Sequence, residues 1–160
     1  MNEKEDGVSR LEDSPLRKYF RVGEEIKIPS HPHEHEVPSP AIFLTGRDVP
    51  AAPGFRLATF AITAPFEMVH ETHTHDFDQY LAFFGGDMRN MLDLGGEVEF
   101  AMGEEGEDLA TFVFTVPFTV YIPAGMRHCP LRYTRVDDPA RPIIHQDLVF
   151  TGEYIRKPAS

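Results

Sequence analysis

Cysteine is nearly absent from this 160-residue chain. Cys129 stands alone, so no intramolecular disulfide staples the fold and a reducing compartment is expected. Tryptophan is missing altogether, and 13 phenylalanines are left to supply the large aromatic volume of the interior. No apolar run approaches the roughly 20 residues that a membrane-spanning helix needs. The first ten residues are polar and charged, without the apolar centre of a secretory signal, so a cytoplasmic location is the expectation. Positive charge is also scarce. Against 26 Asp and Glu there are only 15 Lys and Arg, a net charge of −11, which argues against nucleic acid and anionic membrane surfaces because both reward basic patches. Much of the negative charge gathers at Glu97, Glu99, Glu104, Glu105, Glu107 and Asp108, the pattern of a solvated hairpin tip.

What is present divides near residue 40. Residues 1–40 are polar, with Pro29, Pro32, Pro38 and Pro40 stiffening an extended path, and are expected to form an N-terminal arm. Residues 41–160 carry short strand-like runs separated by turn signals, expected at 42–44, 55–64, 79–84, 97–102, 109–116, 119–122, 128–134 and 142–150. Val98, Phe100 and Met102 alternate with Glu97, Glu99 and Ala101, the period of a strand with one buried face. Tyr80 to Phe84 is apolar at every position and is expected to lie between layers. Gly103 to Asp108 reads as a hairpin connection, and Asp87 to Leu94 as a helical turn or an ordered loop. Many short strands without long helices predict an all-β barrel or sandwich.

The chemistry concentrates in His73-Thr74-His75, followed four residues later by Gln79 and answered downstream by Pro123-Ala124-Gly125-Met126-Arg127-His128. Histidines two apart on a strand share a face. Gln79 keeps their parity and joins them if the next strand folds back beside the first, and the Pro-x-Gly turn aims His128 at the same place. Three imidazoles and one amide oxygen suit a divalent first-row metal such as Fe, Mn, Ni, Co or Zn. An amide is a weak donor, and Gln79 holding a water beside the metal is the alternative.

These residues resemble the cupins, small jelly-roll barrels that often hold a metal in the barrel mouth. Of that family's first motif, G-x5-H-x-H-x3/4-E-x6-G, His73, His75 and Gly86 match, Gln79 takes the glutamate position and Glu67 stands where the leading glycine belongs. Of the second, G-x5-P-x-G-x2-H-x3-N, Pro123, Gly125 and His128 match, with Pro117 and Arg132 replacing the first glycine and the asparagine. The resemblance covers residues 65–135 by motif and extends to about 150 by strand order. It implies a cupin-type jelly-roll β-barrel, a metal held by His73, His75, Gln79 and His128, a small-molecule substrate and a homodimer. It does not fix the reaction, because the family spans many chemistries. Gln79 is the informative departure. A neutral amide leaves the full charge of the metal facing substrate and makes its oxidation harder. That favours isomerase, lyase or hydrolytic chemistry on a keto/enol, hydroxy-acid or sugar-acid metabolite. A non-haem Fe(II) dioxygenase on the same ligands is the alternative, and a non-catalytic metal- or small-molecule-binding cupin is the third reading.

Other polar residues are candidates for proton transfer or substrate binding. Arg132 shares a face with His128 by simple alternation and would clamp a carboxylate, or else pairs with an acid at the surface. His145 and Asp147 share a face on the last long strand, a pair suited to proton transfer. Glu71 shares the parity of His73 and His75 and would enter the mouth as a base, and Tyr80 is a further polar candidate. His70 is expected at the surface, Asp76 and Asp78 in solvated or turn positions, and Cys129 as a buried thiol facing away from the metal. His31, His33 and His35 form either an exposed arm, a second metal site, or a flap over the barrel mouth.

Overall fold

In a computed structural model of the chain, residues 14–20, 22–28, 33, 35–37, 41–45, 52, 54–151 and 153–159 are described. Eleven strands carry these residues: β1 Ile42–Thr45, β2 Arg56–Ile62, β3 Phe66–Val69, β4 His73–Thr74, β5 Gln79–Gly85, β6 Gly96–Gly103, β7 Ala110–Phe114, β8 Phe118–Ile122, β9 Arg127–Val136, β10 Ile143–Val149 and β11 Lys157–Pro158. One antiparallel sheet has the order β1-β2-β10-β5-β8 and the other β11-β4-β9-β6-β7, with β3 also on β9. This is the all-β jelly roll expected from the sequence. No helix among the described residues is long and apolar enough to cross a membrane.

Each sheet turns one apolar face inward. On β10 the residues Ile143, His145, Asp147 and Val149 are buried and alternate with half-buried Ile144, Gln146 and Leu148. On β5 the buried set is Gln79, Leu81, Phe83 and Gly85. Together with Ile62, Leu94, Val98, Phe100, Ile122, Leu131 and Tyr133 they fill one core between the sheets. Most of that core is aliphatic and aromatic, as close packing in a sandwich requires. The inward polar side chains of β5 and β10, Gln79, His145 and Asp147, lie on two adjacent central strands.

The expected alternation fails in two places that matter. Tyr80 to Phe84 does not lie between layers throughout, since Tyr80 is exposed and packs on Tyr121 and Phe150 at the outer surface. The second failure is on β9. Phe100 pairs with Leu131 and Met102 with His128, so a two-residue step on β6 spans three residues on β9. The extra residue is a β-bulge, which reverses the parity of everything beyond it. Cys129 sits in it with a left-handed φ of 73°.

The hairpin β6–β7 turns through residues 104–109 as expected, and Arg127 donates from Nη1 to the Glu107 carbonyl at 2.8 Å, tying the acidic tip to β9. Glu97 and Glu99 do not belong to that tip. They stand on the outer face of β6, where Glu97 accepts from the Thr134 hydroxyl and Glu99 pairs with Arg132. The segment 87–94 is an ordered loop, and the Gly86 amide donates to the Pro142 carbonyl at 2.7 Å. A Cβ on Gly86 would sit 2.5 Å from that oxygen, so this motif glycine is required by close approach. From the N-terminal region, Ile28 donates its amide to Ala41, and Val37 is buried in the main core.

Candidate metal centre

The site is built from both sheets. β4 and β9 pair with His73 opposite His128, and His75 follows just past the end of β4. Gln79 does not fold back beside them. β5 belongs to the facing sheet, between β10 and β8, because residues 76–78 carry the chain across the sandwich. The glutamine therefore meets the imidazoles across the core, not along a sheet.

The three imidazoles converge. Their ring centroids lie 4.8 Å apart for His73 and His75, 4.4 Å for His73 and His128, and 5.0 Å for His75 and His128. One nitrogen from each falls within 4.8 Å of the others, the arrangement of a divalent-cation site. Each Nδ1 is held by a backbone carbonyl: His73 by Glu71 at 3.0 Å, His75 by Ile155 at 2.6 Å and His128 by Met126 at 3.0 Å. A carbonyl only accepts, so every Nδ1 carries the proton and every neutral ring presents a bare Nε2. Nε2 of His73 and of His75 is buried with no hydrogen-bond partner among the described residues.

Gln79 completes the pattern. Its amide Nε2 donates to Asp147 Oδ1 at 2.8 Å, which fixes the side chain, and its buried Oε1 has no partner among the described residues. Buried polar atoms without partners each cost on the order of 1–3 kcal/mol. Three such atoms, all acceptors, belong to two converging imidazoles and to a glutamine that lines the same cavity as His73 and His128, and they fit a cation. The donor set fits a divalent metal: neutral imidazole nitrogens plus an amide oxygen, each oriented by a second hydrogen bond.

Burial sets the protonation states. Loss of solvent pushes His75 down to about 4 and His128 down to about 3, only partly opposed by their hydrogen bonds to backbone carbonyls, and it lowers His73 as well. Asp147 moves the other way, raised by burial against the Gln79 hydrogen bond. The Cys129 thiol is pushed up to about 12 by burial. It lines the same cavity as His73 and His128 instead of facing away, because the left-handed backbone at Cys129 breaks the alternation. A protonated thiol there is a poor ligand.

A cavity of about 480 Å³ opens onto this centre, lined among others by His33, Arg56, Gln79, His145, Asp147, Tyr154 and Arg156. Its size suits a small metabolite. Of the proton-transfer and substrate-binding candidates, His145 lines it. Arg132 does not. The bulge turns its side chain outward, where Glu67 and Glu99 hold it, so the surface pairing is the one observed. Glu71 is exposed and contributes only its carbonyl to His73, because β4 begins at His73 and the chain bends before it. Tyr80 lies on the outer face of β5.

His70 is at the surface beside Glu67, and Asp76 beside Lys157. Asp78 accepts from the Ala124 amide at 3.0 Å, fixing the Pro-x-Gly turn. His33 reaches the cavity wall and packs 5.8 Å from Phe66, whereas His35 is exposed and His31 lies outside the described residues.

Four contributors escape sequence reasoning: Arg56, Tyr154, Arg156 and the Ile155 carbonyl. The Ile155 carbonyl is 80 residues from His75 in the chain, and the isolated Arg56 and Tyr154–Arg156 positions carry no motif. Tyr133 shares a face with Leu131 and is legible from alternation only as a core residue.

No family profile matches the sequence, and no curated protein does. Solved structures of oxalate decarboxylase from Bacillus subtilis resemble the fold. One determined at pH 4.6 aligns at 12% identity over 74% of this chain and 27% of that chain, with a TM-score of 0.48. A single-residue variant aligns at 11% identity over 75% of this chain and 28% of its own, with a TM-score of 0.49. A third, from work on the Mn(II) centers of that enzyme, aligns at 12% over 74% and 27%, with a TM-score of 0.48. The chain thus spans little more than a quarter of the length of these structures.

Two predictions follow from the geometry. Asp147→Ala frees the Gln79 amide to turn, and metal affinity measured by competition with a chromophoric chelator should fall about 10- to 100-fold. An unchanged affinity would remove Gln79 from the donor set. The second concerns pH. The unfolded chain protonates its histidines near 6.5, while folded His75, His128 and the equally buried His145 stay neutral to about 4 or below. Between those values the unfolded state binds more protons, so stability falls as pH falls, by up to about 1.4 kcal/mol per pH unit for each histidine. Asp147, raised by burial, opposes this only as pH approaches the carboxylate range. Thermal unfolding of the metal-stripped chain should therefore show a midpoint that drops steadily from pH 6.5 to 4.5. A flat profile would contradict the buried neutral imidazoles.

Proposed function

We propose that the chain is a metal-dependent enzyme that acts on a small oxygen-rich metabolite of the keto/enol, hydroxy-acid or sugar-acid type, by isomerisation, lyase or hydrolytic chemistry without net oxidation. The observation that carries this reading is the neutral donor set. Three imidazoles converge, and the unpartnered Gln79 amide oxygen belongs to the wall of the same cavity, which also holds a buried acid/base candidate, with no carboxylate in the converging set. A divalent cation bound there supplies Lewis acidity, polarising a carbonyl or hydroxyl and acidifying a bound water.

The chain's own residues do the rest. His73, His75, His128 and Gln79 hold the ion, and Asp147 keeps the glutamine oxygen turned inward. His145 moves the proton at Nε2, which is buried at the cavity wall without a partner among the described residues. Its Nδ1 lies 2.6 Å from the Tyr133 hydroxyl, which itself reaches Met68 Sδ at 3.7 Å. When Tyr133 donates to Nδ1, Nε2 carries the proton and serves as an acid. When Nδ1–H donates to the Tyr133 oxygen, the hydroxyl proton turns toward sulfur and Nε2 is bare, ready to serve as a base. Burial pushes this imidazole down to about 3, so the ring is neutral at pH 7 and accepts a proton only where a bound anion offsets the charge. A cytoplasmic homodimer completes the reading, with exposed Ile42 and Leu44 on edge strand β1 and Phe112 and Val113 on edge strand β7 offering apolar surface.

The metal-loaded chain should catalyse exchange of the acidic C–H protons of 2-oxo and 2-hydroxy acids in D2O above the buffer rate, followed by proton NMR. His145→Gln should slow this exchange about 100-fold or more with metal content unchanged. Oxygen uptake by the Fe(II)-loaded chain with diketones, in place of exchange, would identify a dioxygenase. Stoichiometric metal with neither reaction would leave a binding protein.

A further inference from the structure

Among the cavity-wall residues with no part in the metal set or in proton transfer are Arg56, Tyr154 and Arg156. Arg56 opens β2, opposite Val149 of β10, and Tyr154 and Arg156 lie just before β11. The two guanidinium carbons stand 4.7 Å and 5.6 Å from the centroid of the same Tyr154 ring. That ring also packs 4.8 Å from His75. Both cations are therefore tethered beside the metal centre through one aromatic side chain.

Arg156 lines the same cavity as His73, His128 and Asp147, although the residue is exposed at the rim. Among the described residues Arg156 is in no ion pair, in contrast to Arg17, Arg89, Arg132, Arg135 and Arg141, which all have carboxylate partners. Asp147 is the single carboxylate on the described cavity wall, and it is committed to the Gln79 amide. Arg156 outside any ion pair among the described residues, with the one cavity carboxylate committed elsewhere and a dipositive ion at the floor, makes a cationic rim in a chain whose net charge is −11. Positive potential kept locally against the overall charge selects an anionic ligand. A guanidinium lying over a ring keeps its N–H edges in its own plane, where a planar carboxylate accepts two parallel hydrogen bonds.

We propose that Arg156, supported by Arg56 across Tyr154, clamps a carboxylate of the substrate, so that the enzyme takes a small carboxylic acid whose remaining oxygen functions face the three imidazoles. The proposal rests on the metal-enzyme reading and narrows its substrate class. It also assigns the C-terminal segment a second task. Ile155 orients a metal ligand through its carbonyl, and the residues on either side of it hold the anion.

Titration calorimetry with lactate, pyruvate and malonate against their neutral amides tests this on the full chain, with metal per chain measured in the same samples. The Zn(II)-loaded protein should bind at least one of these acids about 10-fold or more tighter than its amide. Because a metal alone also prefers carboxylates, the variants decide. Arg156→Gln should weaken acid binding about 10-fold or more and leave amide binding unchanged, Arg156→Lys should restore part of the loss, and Arg56→Gln should weaken it in the same direction. Equal acid binding by Arg156→Gln and the unaltered chain would overturn the clamp, as would inorganic phosphate binding more tightly than every acid, or no acid binding at all. Failure of the metal reading looks different. A chain that takes up no Zn(II) but still loses acid binding on Arg156→Gln keeps the clamp and loses the metal.

Discussion

The whole site depends on one constraint: each of the three converging imidazoles must satisfy its N–H, and each does so on a backbone carbonyl. Glu71, Ile155 and Met126 each accept from the Nδ1 of a different histidine. Because a carbonyl cannot donate, the tautomer is decided before any ligand arrives, and the bare Nε2 atoms are left to face one another. Local chain geometry provides two of these contacts, from residues two positions before His73 and His128. The third comes from the far end of the chain, so the C-terminal segment must be in place for His75 to be aimed. Fold and site are coupled through that hydrogen bond, and β11 pairing with β4 holds it there.

The electrostatics follow from the same burial. Desolvation keeps the three imidazoles neutral, and Gln79 adds an oxygen without charge. The one buried carboxylate among the described residues, Asp147, holds the glutamine amide. On the proposed reading, a cation held there would not be neutralised by its own donors, and its charge would stay directed at the cavity. Arg56 and Arg156 add to it from the rim. Under the proposed function, such a centre would polarise an oxygen function of an anionic ligand in preference to giving up an electron.

Much of this was legible in the sequence, and the residues show why the rest was not. His73, His75, Gln79 and His128 could be singled out because strand periodicity and the Pro-x-Gly turn are local signals. The pairing of His145 with Asp147 on one face was legible for the same reason, as was the hairpin at residues 103–108. Arg132 was misplaced because parity counted from His128 ignores the β9 bulge, which is fixed by pairing with β6 across the sheet. Whether Gln79 joins the histidines along one sheet or across the core is not legible, because sequence carries parity but not the direction in which residues 76–78 cross. Arg56 and Arg156 gave no signal at all. Their meaning arises only when the first residue of β2 and the tail of the chain meet over Tyr154.

X-ray absorption at the metal edge of the reconstituted protein tests the central claim most directly. The account predicts three imidazole scatterers, the remaining neighbours light oxygen atoms, and no sulfur despite Cys129 on the cavity wall. Fewer than three imidazoles, or a sulfur neighbour, would contradict the donor set on which the account rests.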